Sequence, residues 1–421
     1  MDILSSAPIA KLSAYRTTRY LIYALLIFTP LARASVQGWA VMTIHLITLI
    51  ALTSFFIEKS LAWNWKWIKT PLDKPILVLI ILVILSTIFS LHKYTSIWST
   101  VLLLNYLVIY YLIVNTVRTR SQLRQIIYLI IGVAAFLSVF GLLKWSGTNP
   151  FPLWEYTDVP QQSIRVSATF GNANHLAGYM EMALPLTLGF LMTGFSGGKR
   201  IVMISITLLF LAALILSLSR GGWFGALMGL GFMAVALMAN RYFKNKKLII
   251  ALCGTFLAVA LIVLSTTPVV ERIQTLTERD PEVNMYGRLL GWRGVVKMIN
   301  DHPLVGSGPG TFATIYTQYQ PPGLARRRFY AHNDYLQFIA ETGLAAAVVI
   351  AWMIIALFRK GFKKLGSPSR LVRGSTLGAM AGIIAISVHS FSDFNLHIPA
   401  NAMLFTVFVA IVAGSGPLVH D

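Results

Sequence analysis

Apolar runs of about twenty residues recur along the chain, each broken by a short polar stretch. That is the length a helix needs to cross the hydrocarbon core of a bilayer. The runs lie near 20–36, 39–57, 75–91, 97–116, 125–145, 173–194, 200–218, 221–240, 247–266, 332–358, 374–391 and 397–414. They predict an all-α, polytopic membrane protein with about twelve transmembrane helices. Two intervening stretches are long enough to carry structure of their own, 146–172 and 267–331. The expected organisation is therefore nine spans in 1–266, a loop with amphipathic helices in 267–331, and three further spans in 332–421.

Composition excludes the soluble classes. Hydrophobic residues make up 56% of the 421 and charged residues 12%, against about 25% charged in soluble domains. A single cysteine, Cys253, excludes a disulfide framework or a cysteine metal site. The net charge of +20 would suggest nucleic acid in a soluble protein. Its distribution says otherwise. With the N-terminus inside, the inner segments hold Lys11, Arg16 and Arg19; Lys59, Lys66, Lys69 and Lys74; Arg118, Arg120 and Arg124; Lys199 and Arg200; Arg241, Lys244, Lys246 and Lys247; and Arg359, Lys360, Lys363, Lys364, Arg370 and Arg373. The short outer loops hold at most one basic residue each, among them Arg33, Lys93, Lys144, Arg165 and Arg220. This positive-inside pattern puts both termini in the cytoplasm and the long loop outside, and removes nucleic acid as a partner. Ala32-Arg33-Ala34 loosely resembles a signal-peptide cleavage site. The arginine within it and the immediate second run favour an uncleaved first helix.

Candidate chemistry gathers in the outer segments. Met285–Asp301 reads as a helix whose apolar face holds Leu289, Trp292, Val295, Val296 and Ile299. Arg293, Lys297 and Asn300 lie opposite, but Arg288 projects into the apolar arc and needs either a partner or a snorkelling route to the surface. Arg220 stands in the tight turn Ser219-Arg220-Gly221-Gly222, where glycines permit close approach and a guanidinium fork suits phosphate oxygens. An interfacial anchor beside Trp223 is the plainer alternative. His332 opens the tenth span with a pKa range suited to a general base. Asn333, Gln337 and Glu341 continue below it as a polar stripe expected to face the interior or a wet cavity.

Other candidates support these. Asn174, His175 and Glu181 lie on the sixth span, where an intramembrane carboxylate is a functional candidate and Pro185 would bend the helix. The last outer turn gathers His389, Asp393, Asn395 and His397, without a zinc spacing; helix capping is the alternative. Gly306-Ser307-Gly308-Pro309-Gly310 is similar to a phosphate-cradling loop but lacks its Lys-Ser/Thr ending, and reads as a turn before a short helix. No outer loop pairs acids for a divalent cation, so neither a metal nor another cofactor is expected. Arg326, Arg327 and Arg328 read as solvated surface charge.

Ser219-Arg220-Gly221-Gly222, Gly287-Arg288, the run His302 to Gly310, and His332-Asn333-Asp334-Tyr335-Leu336-Gln337 with Glu341 and Gly343 resemble the O-antigen ligase / O-antigen polymerase superfamily of bacterial inner membranes. Asn172 to Tyr179 and Asp393-Phe394-Asn395-Leu396 fit the same group. The resemblance covers roughly 170–400. It implies a GT-C-like glycosyltransferase acting on the periplasmic face without a metal. The donor would be an undecaprenyl-diphosphate-linked glycan, and the acceptor a sugar hydroxyl of lipid A–core (ligase) or of a growing glycan (polymerase). By the same motifs His332 becomes the base, and Arg220 and Arg288 the diphosphate ligands. The short tail after the last span makes transfer to protein less expected. From another class, a transporter or flippase would use Glu181 and Glu341 as coupling groups, but no internal repeat supports one.

Overall fold

The computed structural model describes residues 15–63, 65–151, 165–239, 254, 285–324 and 326–414. The ninth apolar run, the basic cluster at 241–247 and the first part of the long loop lie outside the described residues. Among the described residues every regular element is helical. In chain order these are α1 (Arg16–Leu31), α2 (Gly38–Leu61), α3 (Asp73–Ile88), α4 (Lys93–Thr116), α5 (Arg120–Trp145), α6 (Ala173–Leu191), α7 (Gly197–Leu216), α8 (Arg220–Ala239), α9 (Met285–Asp301), α10 (Asp334–Thr342), α11 (Leu344–Lys364), α12 (Arg370–His389) and α13 (Pro399–Ala413). A helical turn, Phe312–Ile315, lies between α9 and α10. Seven helices, α2, α4, α5, α7, α8, α11 and α12, are long and apolar enough to cross a membrane, making this a multi-pass membrane protein.

The most enclosed of the long helices is α6. Every residue of α6 except Asn174 is buried. Asn174 and Glu181 find partners inside the bundle, and small residues let neighbouring backbones come close. A Cβ at Gly189 would stand 2.2 Å from the Gly374 carbonyl of α12. On α8, Cβ atoms at Gly225 and Gly229 would each stand 2.5 Å from an α12 carbonyl, Ala385 and Ala381 respectively. Backbone cannot yield as a flexible side chain can. Gly189→Ala is therefore expected to cost about 1–3 kcal/mol through overpacking. Gly132→Ala on α5, where a Cβ meets nothing within 4 Å, is expected to be neutral or stabilising by helix propensity. Thermal melts of the two purified variants in detergent compare them directly.

Two expectations are corrected. The run 332–358 reads as one span, yet Gly343, at φ 88° and ψ 167°, divides it into α10 and α11. A Cβ there would sit 2.1 Å from the Leu304 carbonyl oxygen, so a passing backbone strand demands glycine. Hydropathy does not register this, because the flanking residues stay apolar. On α9, Val295, Met298 and Ile299 are buried, but Leu289 and Val296 are exposed. The buried face is turned towards Gly287, Gly291 and Gly294. There Tyr316 donates its hydroxyl to the Gly291 carbonyl (2.9 Å), and a Cβ at Gly294 would lie 2.4 Å from the Tyr319 carbonyl. Weighting the helix by its large side chains rotates the expected face away from the glycines that permit the contact.

One end of the bundle collects the loops that matter. Thr169 bonds the Pro30 carbonyl (2.6 Å), the Val166 amide bonds Leu216 (3.0 Å), and the Leu91 amide bonds Ser307 (3.0 Å). The α12–α13 turn joins them there through Ser392, as described below.

Candidate active site

The segment entering α10 is stapled to the α12–α13 turn. Asn333 caps α10 by accepting the Leu336 amide (3.0 Å) and donates to the Phe391 carbonyl (3.1 Å). The Asp334 amide donates to Ser390 (2.9 Å), and its carboxylate accepts the Leu396 amide (3.0 Å) and meets His397 Nδ1 at 2.6 Å. Burial alone lowers the His397 pKa, but the Asp334 bond and charge outweigh it and hold it above the ordinary histidine value. Tyr335 donates to the Ser387 carbonyl (2.8 Å). These bonds fix His332 in a left-handed conformation, φ 50°, rare for a residue with a Cβ. Such backbone strain persists only where surrounding contacts impose it.

His332 presents Nδ1 to Asp393 Oδ1 at 3.2 Å and lies edge-on against Phe394. Its side chain is 33% exposed, whereas Asp393 is 2% exposed. The carboxylate is well supplied with donors. Oδ1 also accepts the Phe394 amide (2.9 Å), and Oδ2 accepts Asn174 Nδ2 (2.7 Å). Arg288 Nη2 stands 3.9 Å from Oδ2, and Nη1 donates to the Ser392 carbonyl. Burial pushes the Asp393 pKa up. The His332 bond and the Arg288 charge overcome it and hold the group well below the usual carboxylate range. An anionic Asp393 accepts the proton of Nδ1–H. Neutral His332 is then left with Nε2 as its basic nitrogen.

Arg220 opens α8, half-buried, two residues after Leu218 with φ 51°. Gly221 lies flat against the same corner: a Cβ there would stand 2.5 Å from His389 Cδ2 and 2.9 Å from Ser392 Oγ. Both arginines thus approach Ser392, Arg220 through its turn and Arg288 through its side chain. Arg293, by contrast, points from the exposed face of α9. Arg165 was not singled out by sequence. It donates Nη2 to Asn174 Oδ1 (2.5 Å) and Nε to the Ser217 carbonyl (2.8 Å), two residues before Ser219. The signal that marks Arg220, a lone basic residue in an outer segment, marks Arg165 equally.

The remaining candidates have other places. Glu341 faces the interior, the first of the two expected settings of the stripe. It accepts the Gly310 amide (2.7 Å), the Phe312 amide (3.1 Å) and Gln337 Nε2 (3.2 Å), while Gly308 donates to its backbone carbonyl (2.9 Å). The glycine-rich loop does turn an amide, that of Gly310, onto a carboxyl group, and the group is the protein's own Glu341. Gln337 Oε1 takes the Ala331 amide (2.9 Å), bracing the residue before His332. His175 packs edge-on beneath Phe394. Glu181 pairs with His389 Nδ1 at 3.0 Å in full burial. Among the described residues no group of three or more His, Cys, Asp or Glu side chains could hold a metal ion.

Residues 205–351 match the family model described as O-antigen ligase. That match, over about a third of the chain, supports the O-antigen ligase/polymerase superfamily. Arg220, Arg288, His332 and Glu341 fall inside the matched residues, whereas Asn174, Arg165 and Asp393 fall outside them. The family consists of glycosyltransferase-like enzymes of ligase and polymerase type. No match was found among curated proteins.

Proposed function

We propose that this chain is a metal-independent, GT-C-like glycosyltransferase of the periplasmic face of the bacterial inner membrane, with both termini cytoplasmic. It transfers a glycan from an undecaprenyl-diphosphate donor to a sugar hydroxyl of lipid A–core, the ligase reaction. The observation that carries this reading is His332 Nδ1 on the buried Asp393, with Arg288 reaching the same carboxylate. His332 Nε2 accepts the proton of the attacking hydroxyl, and Asp393 stabilises the imidazolium that forms. The acceptor oxygen bonds the anomeric carbon as the bond to the diphosphate breaks. The diphosphate leaves with the electron pair, its charge held by Arg220 and Arg288. Guanidinium groups supply what a divalent cation would otherwise supply. The acids of this corner are already engaged: Asp334 by His397, Glu341 by backbone amides, and Asp393 by His332, the Asn174 and Phe394 N–H groups and the Arg288 charge.

Purified protein in detergent, given lipid-linked donor and lipid A–core, is expected to transfer glycan with no ion gradient and in the presence of chelator. Loss of activity restored by magnesium or manganese would overturn the metal-free assignment. A gradient requirement would favour transport. In a deletion strain, loss of all long-chain glycan from the lipid core is expected. A single repeat left on the core would instead mark a polymerase.

A further inference from the structure

Arg165, Asn174, Asp393 and His332 form an unbroken chain of polar contacts. Arg165 Nη2 donates to Asn174 Oδ1 (2.5 Å), Asn174 Nδ2 donates to Asp393 Oδ2 (2.7 Å), and Asp393 Oδ1 faces His332 Nδ1 (3.2 Å). An amide side chain can be turned end for end at almost no cost in shape. Its two ends differ completely towards a carboxylate, one donating and the other repelling. What fixes the Asn174 amide here is the guanidinium on its oxygen, which has donors only. With Arg165 in place, the amide nitrogen necessarily faces Asp393.

The sequence positions make this more than a local contact. Arg165 belongs to the segment before α6, Asn174 to the first turn of α6, and Asp393 to the α12–α13 turn. The Arg165 Nε bond to the Ser217 carbonyl (2.8 Å) attaches the same guanidinium to the turn that presents Arg220. Beside it, the Val166 amide bonds Leu216 (3.0 Å), so the backbone at 165–166 is held to the end of α7.

We propose that Arg165 is a positioning residue: acting through Asn174, it orients the Asp393 carboxylate and so selects the His332 tautomer that leaves Nε2 basic. This rests on the proposed role of His332 as the base. Without Arg165 only Asp393 itself holds the amide, and in the turned orientation two acceptors face each other. Protonation of Asp393 relieves that conflict. A protonated Asp393 no longer stabilises the imidazolium or holds Nδ1–H.

The test compares Arg165→Gln, Arg165→Lys, Asn174→Leu and Asn174→Gln in full-length protein in detergent, with His332→Ala assayed beside them. The pH dependence of kcat/KM and the separate kcat and donor KM are measured. Arg165→Gln and Asn174→Leu are expected to lower kcat about tenfold or more, with donor KM changed less than about twofold, because the interaction acts on the base rather than on donor binding. Their acid limb shifts from that of the wild type, since His332 then titrates against an Asp393 that has lost a donor. Arg165→Lys keeps one donor for Asn174 Oδ1 and is expected to restore most of kcat and the wild-type acid limb. An unchanged acid limb in both Arg165→Gln and Asn174→Leu overturns the proposal, as does a rise in donor KM with kcat intact, which would make Arg165 a donor ligand. An inactive His332→Ala beside a wild-type-like Arg165→Gln rejects this inference alone. A fully active His332→Ala rejects the assignment of the base itself.

Discussion

Replacing His332 with alanine is expected to leave a folded protein that transfers glycan at least about a hundredfold more slowly, the usual cost of losing a general base. Folding should survive because the buried carboxylate beneath it keeps its other donors. Asp393 still accepts the Asn174 amide (2.7 Å) and the Phe394 amide (2.9 Å), and still faces Arg288. No buried charge is orphaned, and His332 itself is partly exposed. Asp393→Asn is the companion variant. It keeps the shape but removes the anion that selects the tautomer, so an almost equal loss is expected. Monodispersity and melting temperature check the fold, and single-turnover transfer from labelled donor checks the chemistry. Near-normal turnover by well-folded His332→Ala would remove the histidine from the reaction.

The second large effect is expected at Arg288. Its guanidinium serves two directions at once, the Ser392 carbonyl through Nη1 and Asp393 through Nη2. A lysine ammonium is a single point of charge and cannot span both while also meeting a diphosphate. Arg288→Lys is expected to lower kcat/KM for the donor by about a hundredfold, whereas Arg293→Lys, on the exposed face of α9, should be nearly silent. Arg220→Lys should resemble Arg288→Lys. Because both would serve one leaving group, the double variant should be little worse than the worse single one. Donor titrations of the four proteins settle the matter. Wild-type behaviour of Arg288→Lys with loss in Arg293→Lys would exchange their assignments. Activity in both the Arg288 and Arg220 single variants would move the diphosphate towards Arg326, Arg327 and Arg328.

The elements that sequence revealed are those written in local periodicity. Long apolar runs mark helices whatever surrounds them, and α9 spans the same residues, Met285–Asp301, that its pattern predicts. Helical angle alone separates Arg288 from Arg293. What sequence could not reveal is which distant residues meet. His332 and Asp393 are 61 residues apart, and Glu181 and His389 are 208 apart. No local pattern encodes such pairing, and capping remained an equal reading of Asp393 until its contacts were seen. The Glu341 stripe has the spacing of a cavity lining, yet its partners are backbone amides of a loop some thirty residues earlier. Amides carry no side-chain signature.

The interruption at Gly343 is a held corner, with the Leu344 amide on the Pro303 carbonyl (2.9 Å) and the glycine packed on the Leu304 backbone. Above it, α10 is fastened to its surroundings at both ends, by Asp334 on the Leu396 amide and by Glu341 on the Gly310 and Phe312 amides. Below it, α11 is an apolar helix long enough to follow the bilayer. A membrane that thickens or thins tilts helices of this kind. With the corner tied to the 303–304 backbone, a tilt of α11 is expected to reach His332 through that loop as well as through α10.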